Sequence, residues 1–295
     1  TTKFFEDGSI DFPVFERNIE AQIDAGVDGI VISGTLGEGS SLSCEEKIDL
    51  VRSAKMVSNG RVPVIVCVAE SNTKTAVSFV KAVKDAGVDG LMVLPPMRYQ
   101  SDDRETVHYL QTIADATDLP IMLYNNPVAY KVLITIDMFK ELAKDPKFQA
   151  IKESTDDIRT LTDLKNELGD RYKILSGVDD LAMESLVMGA DGWVAGLVCA
   201  FPKETVAIYR LVKEGRIEEA RAIYRWFFPL LHLDVSTKLV QNIKLAEVAT
   251  GLGTEPVREP RLPLVGEERE RVLRIIEEGL ANRPILPELG VAELA

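Results

Sequence analysis

The segment FQAIKEST (148–155) brings Lys152 to the end of a strand-like alternation in which Phe148, Ala150 and Lys152 share one face. A lysine on an inward, apolar face loses hydration, and that loss favours the neutral amine. A neutral amine attacks a ketone carbon and forms a Schiff base. The protonated imine then withdraws electrons from the neighbouring carbon, so bonds to that carbon break or form easily. Tyr124, of the same parity as Pro120 and Met122, closes an earlier apolar run and suits a proton shuttle. The turn GTLGEGSS (34–41) offers backbone N–H groups of the kind that hold a carboxylate. Together these parts suit a 2-oxo acid, with its carboxylate in the turn and its ketone at Lys152.

Each part also has a purely structural reading. A lysine late in a strand can snorkel to the surface, and a tyrosine at a strand end can be packing. GTLGEG can be a tight turn in which Glu38 caps the next helix, and Asp179 and Asp180 suit the start of a helix. Only the combination points to chemistry.

The reactive side chains need a scaffold that collects strand ends, and the sequence repeats a phrase that builds one. AGVDGIVISG (25–34), AGVDGLMVLP (86–95) and MGADGWVAGL (188–197) each join a helix end, a Gly-x-Asp-Gly turn and an apolar run. Candidate strands are Gly29–Gly34, Pro63–Val68, Gly90–Pro95, Pro120–Asn125, Phe148–Ser154, Tyr172–Gly177 and Gly192–Leu197. Amphipathic stretches such as CEEKIDLVRSAKMV (44–57) and TKTAVSFVKAVKDA (73–86) separate them. This alternation predicts an α/β fold, a (β/α)8 TIM barrel over residues 1–215. Its first strand is short or truncated, because only Thr1–Phe5 precedes the helix that begins near Phe12. An open doubly wound sheet is the alternative, but no GxGxxG follows the first strand. Helices near Ile217–Leu231, Ser236–Thr250 and Gly266–Leu280 predict a C-terminal helical extension over 216–295. In a barrel of this kind the site lies at the carboxyl ends of the strands, where Lys152, Tyr124, the 34–41 turn, Tyr99 and GVDD (177–180) all fall.

The totals exclude other classes. A formal charge of −13 repels nucleic acid and anionic membrane, and no apolar run is long enough to cross a bilayer. Cys44, Cys67 and Cys199 are scattered without ligand spacing, which predicts a reducing, cytoplasmic setting. The two histidines, His108 and His232, fall in helical segments away from strand ends, so no metal site and no cofactor are expected. GVDD and GLVCAFP carry no lysine or arginine for a phosphate. A barrel that binds a 2-oxo acid as a sensor, without reaction, is the non-enzyme alternative.

Three motifs in order, GTLGE (34–38), YNNP (124–127) and IKEST (151–155), resemble the dihydrodipicolinate synthase / N-acetylneuraminate lyase family. FEDGSIDF (5–12) and LSGVDD (175–180) are similar to the same family, so the resemblance spans essentially the whole chain. It implies a (β/α)8 barrel with a helical extension, assembled as a homotetramer. It also implies that Lys152 forms the Schiff base, that Tyr124 shuttles protons, and that Gly34, Thr35 and the backbone N–H of Leu36 hold the substrate carboxylate.

Three departures shape the expected substrate. Leu36 stands where the synthases have a second threonine, and on the resemblance this is expected to remove a hydroxyl relay. Arg98 occupies the register of a tyrosine that a neighbouring subunit lends in the synthases, with Tyr99 one place later. Ala129 replaces an arginine that binds the second substrate's carboxylate. These changes argue against a true synthase. YNNPVAYKVLITIDMF, GVDDLAMESLVMGADGWVAGLV and HLDVSTKLVQNIKLAE are similar to the branch of hydroxyproline breakdown that contains 1-pyrroline-4-hydroxy-2-carboxylate deaminase. The expected activity is therefore release of ammonia and 2,5-dioxopentanoate from that cyclic imine. A pyruvate-type aldolase, such as one cleaving 4-hydroxy-2-oxoglutarate, and a sugar-acid dehydratase are the alternatives.

Overall fold

The computed structural model describes residues 1–290. Its core is a parallel sheet of β1 (Ile30–Ile32), β2 (Val64–Val68), β3 (Gly90–Val93), β4 (Ile121–Asn125), β5 (Phe148–Glu153), β6 (Lys173–Ser176) and β7 (Gly192–Trp193). Each strand pairs with the next, so the spatial order follows the chain and every crossover carries a helix. Among the described residues the sheet has seven strands, not the eight of a closed barrel. Thr1–Phe5 does not join it. Phe4 instead makes an isolated antiparallel bridge with Ile10 and buries its ring.

The repeated Gly-x-Asp-Gly turns have a local cause. Gly26, Gly87 and Gly189 end helices at φ +94°, +87° and +103°, a region that side chains disfavour. In the second and third copies the aspartate then reaches sideways to the preceding strand. Asp89 accepts from the Val64 amide at 2.7 Å and pairs with Lys55, and Asp191 accepts from the Ile174 amide at 2.9 Å and pairs with Lys165. Each turn thus pins the start of its own strand to its neighbour.

Alternation divides the strands between two apolar layers. Ile30, Ile32, Val64, Val66, Leu91, Val93, Ile121, Leu123, Ile151 and Ile174 face the helices in one continuous cluster. Cys67, Met92, Met122 and Tyr124 face inward, packed with Val31, Ala150, Leu175 and Val194. Phe148 corrects the sequence expectation, because it belongs to the outer cluster while Ala150 belongs to the inner one. The register shifts there: Ile121 pairs with Phe148, but Met122 pairs with Ala150, leaving Gln149 as an extra residue. Such a bulge re-aims the strand beyond it. Lys152 points inward because of the bulge.

Helices Ile217–Leu231, Leu239–Ala249 and Gly266–Ala281 follow the sheet region. The middle one begins at Leu239, later than the periodicity suggested, and leaves Asp234–Lys238 as a turn closed by Ser236 Oγ on the Lys238 amide. Residues 291–295 of the predicted extension lie outside the described residues. No helix among the described residues is long and apolar enough to cross a membrane.

Candidate active site

The turn after β1 is held in a shape that side chains resist. Ser33 and Glu38 both take positive φ, +58° and +53°. Gly39 lies so close to Ser33 that a Cβ would meet its carbonyl carbon at 2.9 Å. Glu38 does not cap the following helix, whose cap is Ser43 in a reciprocal capping box with Glu46. The Glu38 carboxylate is instead fully buried and pairs with the equally buried Lys244 at 2.6 Å, while also accepting from the Arg258 amide at 3.0 Å. Burial pulls the Lys244 ammonium down to about 8 against the opposing charge of Glu38. Arg258 in turn grips Glu46 at 2.5 Å. The turn is thereby tied to the C-terminal helices by buried charge, a link across about two hundred residues that sequence periodicity does not reveal.

At the other side of the site Tyr124 and Lys152 are direct partners across β4 and β5. Lys152 Nζ stands 4.1 Å from the centre of the Tyr124 ring. Tyr124 Oη accepts from Asn126 Nδ2 at 3.0 Å. The neighbouring motif residues turn the opposite way and brace the strands. Asn125 donates to Glu153 at 3.0 Å and accepts from the Ile134 amide at 3.0 Å. On its β6 side the lysine stem packs against Gly177, where a Cβ would meet Lys152 Cε at 2.7 Å. Ser154 beside it buries a hydroxyl with no hydrogen-bond partner among the described residues.

Tyr130 is the residue that the sequence reading passed over. It follows Tyr124 on the short helix Pro127–Tyr130, its ring sits edge-on to the Tyr124 ring at 5.8 Å and 79°, and its hydroxyl contacts Thr35 Oγ1. Burial pushes the Tyr130 phenol well above its ordinary value. Next to Leu36 in sequence, Thr35 thus forms a hydroxyl pair with a tyrosine of the same chain, while the Tyr124 hydroxyl is bonded instead to Asn126. The sequence signal was present in YNNPVAY, where Tyr130 follows the missing arginine by one position.

Lys152, Tyr124, Gly34, Thr35 and Leu36 line one cavity of about 900 Å³. Tyr99 does not; it is 57% exposed, and Arg98 is exposed beside it. Lys131 is also exposed and donates to the Val128 carbonyl. β7 and β1 do not pair with each other, and the cavity continues to the amino ends of the strands and to Phe15, Ile19, Val206 and Tyr209 of the helices outside them. Its charged lining divides accordingly. Lys152, Asp156 and Asp234 stand toward the carboxyl ends, and Asp28, Lys173 and Asp191 toward the amino ends, with no arginine among the described lining residues.

Asp179 opens a short 3-10 turn, as its position suggested, but its side chain turns into the protein. It is fully buried and accepts from Trp193 Nε1 at 2.9 Å, the Gly196 amide at 3.0 Å and the Leu197 amide at 2.8 Å. Asp234, from the turn before the Leu239–Ala249 helix, was not anticipated; nothing in its local sequence distinguishes it from a loop residue. Among the described residues no group of three or more His, Cys, Asp or Glu side chains is placed to hold a metal.

The chain as a whole has counterparts among known proteins. A 4-hydroxy-tetrahydrodipicolinate synthase from Exiguobacterium sibiricum is 33% identical over 276 residues, covering 94% of this chain and 93% of that protein. The solved structure of the synthase of that name from Methylacidiphilum fumariolicum SolV superposes with a TM-score of 0.89 at 32% identity, covering 95% and 94% of the two chains. A dihydrodipicolinate synthase from Acinetobacter baumannii, solved with pyruvate bound, gives 0.90 at 27% identity and covers 95% and 96%. The model of the dihydrodipicolinate synthetase family matches residues 1–279. The chain belongs to that family, a family of lysine Schiff-base lyases.

Proposed function

We propose that the protein is a 1-pyrroline-4-hydroxy-2-carboxylate deaminase, with Lys152 as the Schiff-base residue. The charge of the cavity mouth carries this reading. Lys152 is the basic side chain there, Asp156 and Asp234 are the acidic ones, and no arginine lines it among the described residues. A substrate with one carboxylate suits such a mouth, and the turn at Thr35 and Leu36 accounts for that carboxylate. The pyrroline carries one carboxylate, a hydroxyl and a basic nitrogen. A second carboxylate, as in 4-hydroxy-2-oxoglutarate, would meet acidic side chains instead of a clamp.

In this reading Lys152 Nζ attacks the ring C=N carbon, and the ring nitrogen leaves that carbon as a primary amine still attached at carbon 5. Tyr124, beside the lysine, moves protons between nitrogen and carbon 3. The enamine expels the hydroxyl from carbon 4 as water. Rearrangement carries unsaturation to carbon 5, where a water molecule releases ammonia, and a second water frees Lys152. One water is lost and two are taken up, so the net reaction consumes one water and gives 2,5-dioxopentanoate and ammonia. In this reading Thr35, in contact with Tyr130, helps hold the substrate carboxylate.

The relatives' own named activity, 4-hydroxy-tetrahydrodipicolinate synthesis, is the second reading, supported by about 30% identity along the chain. Ala129 and the acidic mouth count against it. We further propose that copies of the chain assemble, as a homotetramer, and that Tyr99 serves a neighbouring site; its exposure away from its own cavity supports this. The deciding experiment offers the purified protein the pyrroline and, separately, pyruvate with aspartate semialdehyde. Ammonia from the pyrroline, with a Lys152 adduct trapped by borohydride, is the expected result. Condensation of pyruvate without ammonia release would overturn it.

A further inference from the structure

Lys152 shares its cavity with two groups of different character. Tyr124 approaches from β4. On the β6 and β7 side Asp234 lines the same cavity, reaching it from the turn between helices Ile217–Leu231 and Leu239–Ala249. Its carboxyl lies against Gly196, just after β7, where a Cβ would stand 2.7 Å from Asp234 Cγ. The absence of a side chain at Gly196 is what admits it. The donors nearby, Trp193 Nε1 and the amides of Gly196 and Leu197, turn to Asp179. Asp234 is therefore set beside a carboxylate that has taken the local hydrogen bonds.

Burial and then the charge of Asp179 raise the Asp234 carboxyl well above its ordinary range; Asp180 adds to this and Lys152 opposes it. A carboxyl that keeps its proton in an apolar cavity is a proton donor. The chemistry at Lys152 needs one, because hydroxide is a poor leaving group.

We propose that Asp234 is the general acid that protonates the oxygen leaving carbon 4 of the lysine-bound substrate. It rests on the Schiff-base reading of Lys152 but not on the nitrogen of the substrate. In the step, a proton leaves carbon 3, carried off by way of Tyr124 to solvent, and its electron pair enters the enamine. That pair becomes the C3–C4 double bond as the C4–O bond breaks. The departing oxygen takes the Asp234 proton and leaves as water, and the Asp234 carboxylate regains a proton from solvent before the next turnover.

The test compares wild type with Asp234→Asn, which preserves shape but not the acid. Three reactions are followed: hydrogen exchange and borohydride trapping with pyruvate, dehydration of 4-hydroxy-2-oxopentanoate, and ammonia release from the pyrroline. Pyruvate has no leaving oxygen, so exchange and trapping should persist in the variant and show that it is folded. Dehydration should fall about a hundredfold or more. Equal dehydration by both proteins, no dehydration by wild type, or equal loss of pyruvate exchange would each overturn the assignment. Ammonia release by both at one rate would overturn it while leaving the deaminase reading intact. Dehydration that depends on Asp234, without ammonia from the pyrroline, would uphold the acid and remove the deaminase.

Discussion

The ammonium of Lys152 stands 4.1 Å from the centre of the Tyr124 ring, and the two residues are register partners on adjacent strands. A cation over a phenol face is attracted by the ring, so the ring and the hydroxyl of Tyr124 have separable roles. Tyr124→Phe keeps the ring under the lysine and removes the hydroxyl proposed as proton shuttle. We expect the pyruvate adduct to form still, with turnover lower by about 10²–10⁴; trapping yield and steady-state rate measured together check this.

Lys152→Ala should abolish the borohydride-trapped adduct, read as loss of the mass increment on the intact protein. Lys152→Arg keeps the charge but offers no neutral amine, and the same loss is expected. An adduct that survives in either variant would move the nucleophile elsewhere.

Thr35 and Tyr130 touch through their hydroxyls, so their effects should not add. Thr35→Val, Tyr130→Phe and the double variant form a cycle. The expected coupling in kcat/KM is about 0.5–3 kcal/mol, and simple additivity would show that the contact has no part in turnover.

The buried pair Lys244–Glu38 ties the 34–41 turn, proposed to hold the substrate carboxylate, to the C-terminal helices. Lys244→Met leaves a buried carboxylate without its partner, and breaking such a pair costs about 3–5 kcal/mol. Denaturant unfolding measures that loss. At temperatures where the variant stays folded, KM for the substrate should rise more than kcat falls, because the turn binds but does not react.

Asp234 also leaves a trace in stability. Burial and Asp179 raise its carboxyl above the ordinary aspartate value of 3.8, so the folded chain keeps a proton that the unfolded chain releases above that value. Wild type is therefore penalised progressively as pH rises past the ordinary carboxyl range. Asparagine does not titrate. Melting curves from pH 4.5 to 7.5 should show Asp234→Asn gaining on wild type as pH rises, and a constant difference would mean that the carboxyl ionises normally.

Much of this molecule was legible in one dimension. Short-range rules carried it: alternation placed the strands from Val64–Val68 to Lys173–Ser176 within a residue or two at each end, and the Gly-x-Asp-Gly phrase marked helix ends that need positive φ. The meeting of Lys152, Tyr124 and the 34–41 turn followed from their shared position at strand ends, because parallel strands gather those ends on one side. What stayed hidden depends on contacts between distant segments or on a departure from period two. The bulge at Gln149 sends Phe148 outward while Lys152 points inward, and no alternation count contains it. Glu38 found Lys244, and Asp234 found the cavity at Gly196, through the packing of the C-terminal helices. Residue types and periodicity determine which chemistry the chain carries; the tertiary fold alone decides which buried charge faces which, because desolvated charges choose partners by space and not by sequence.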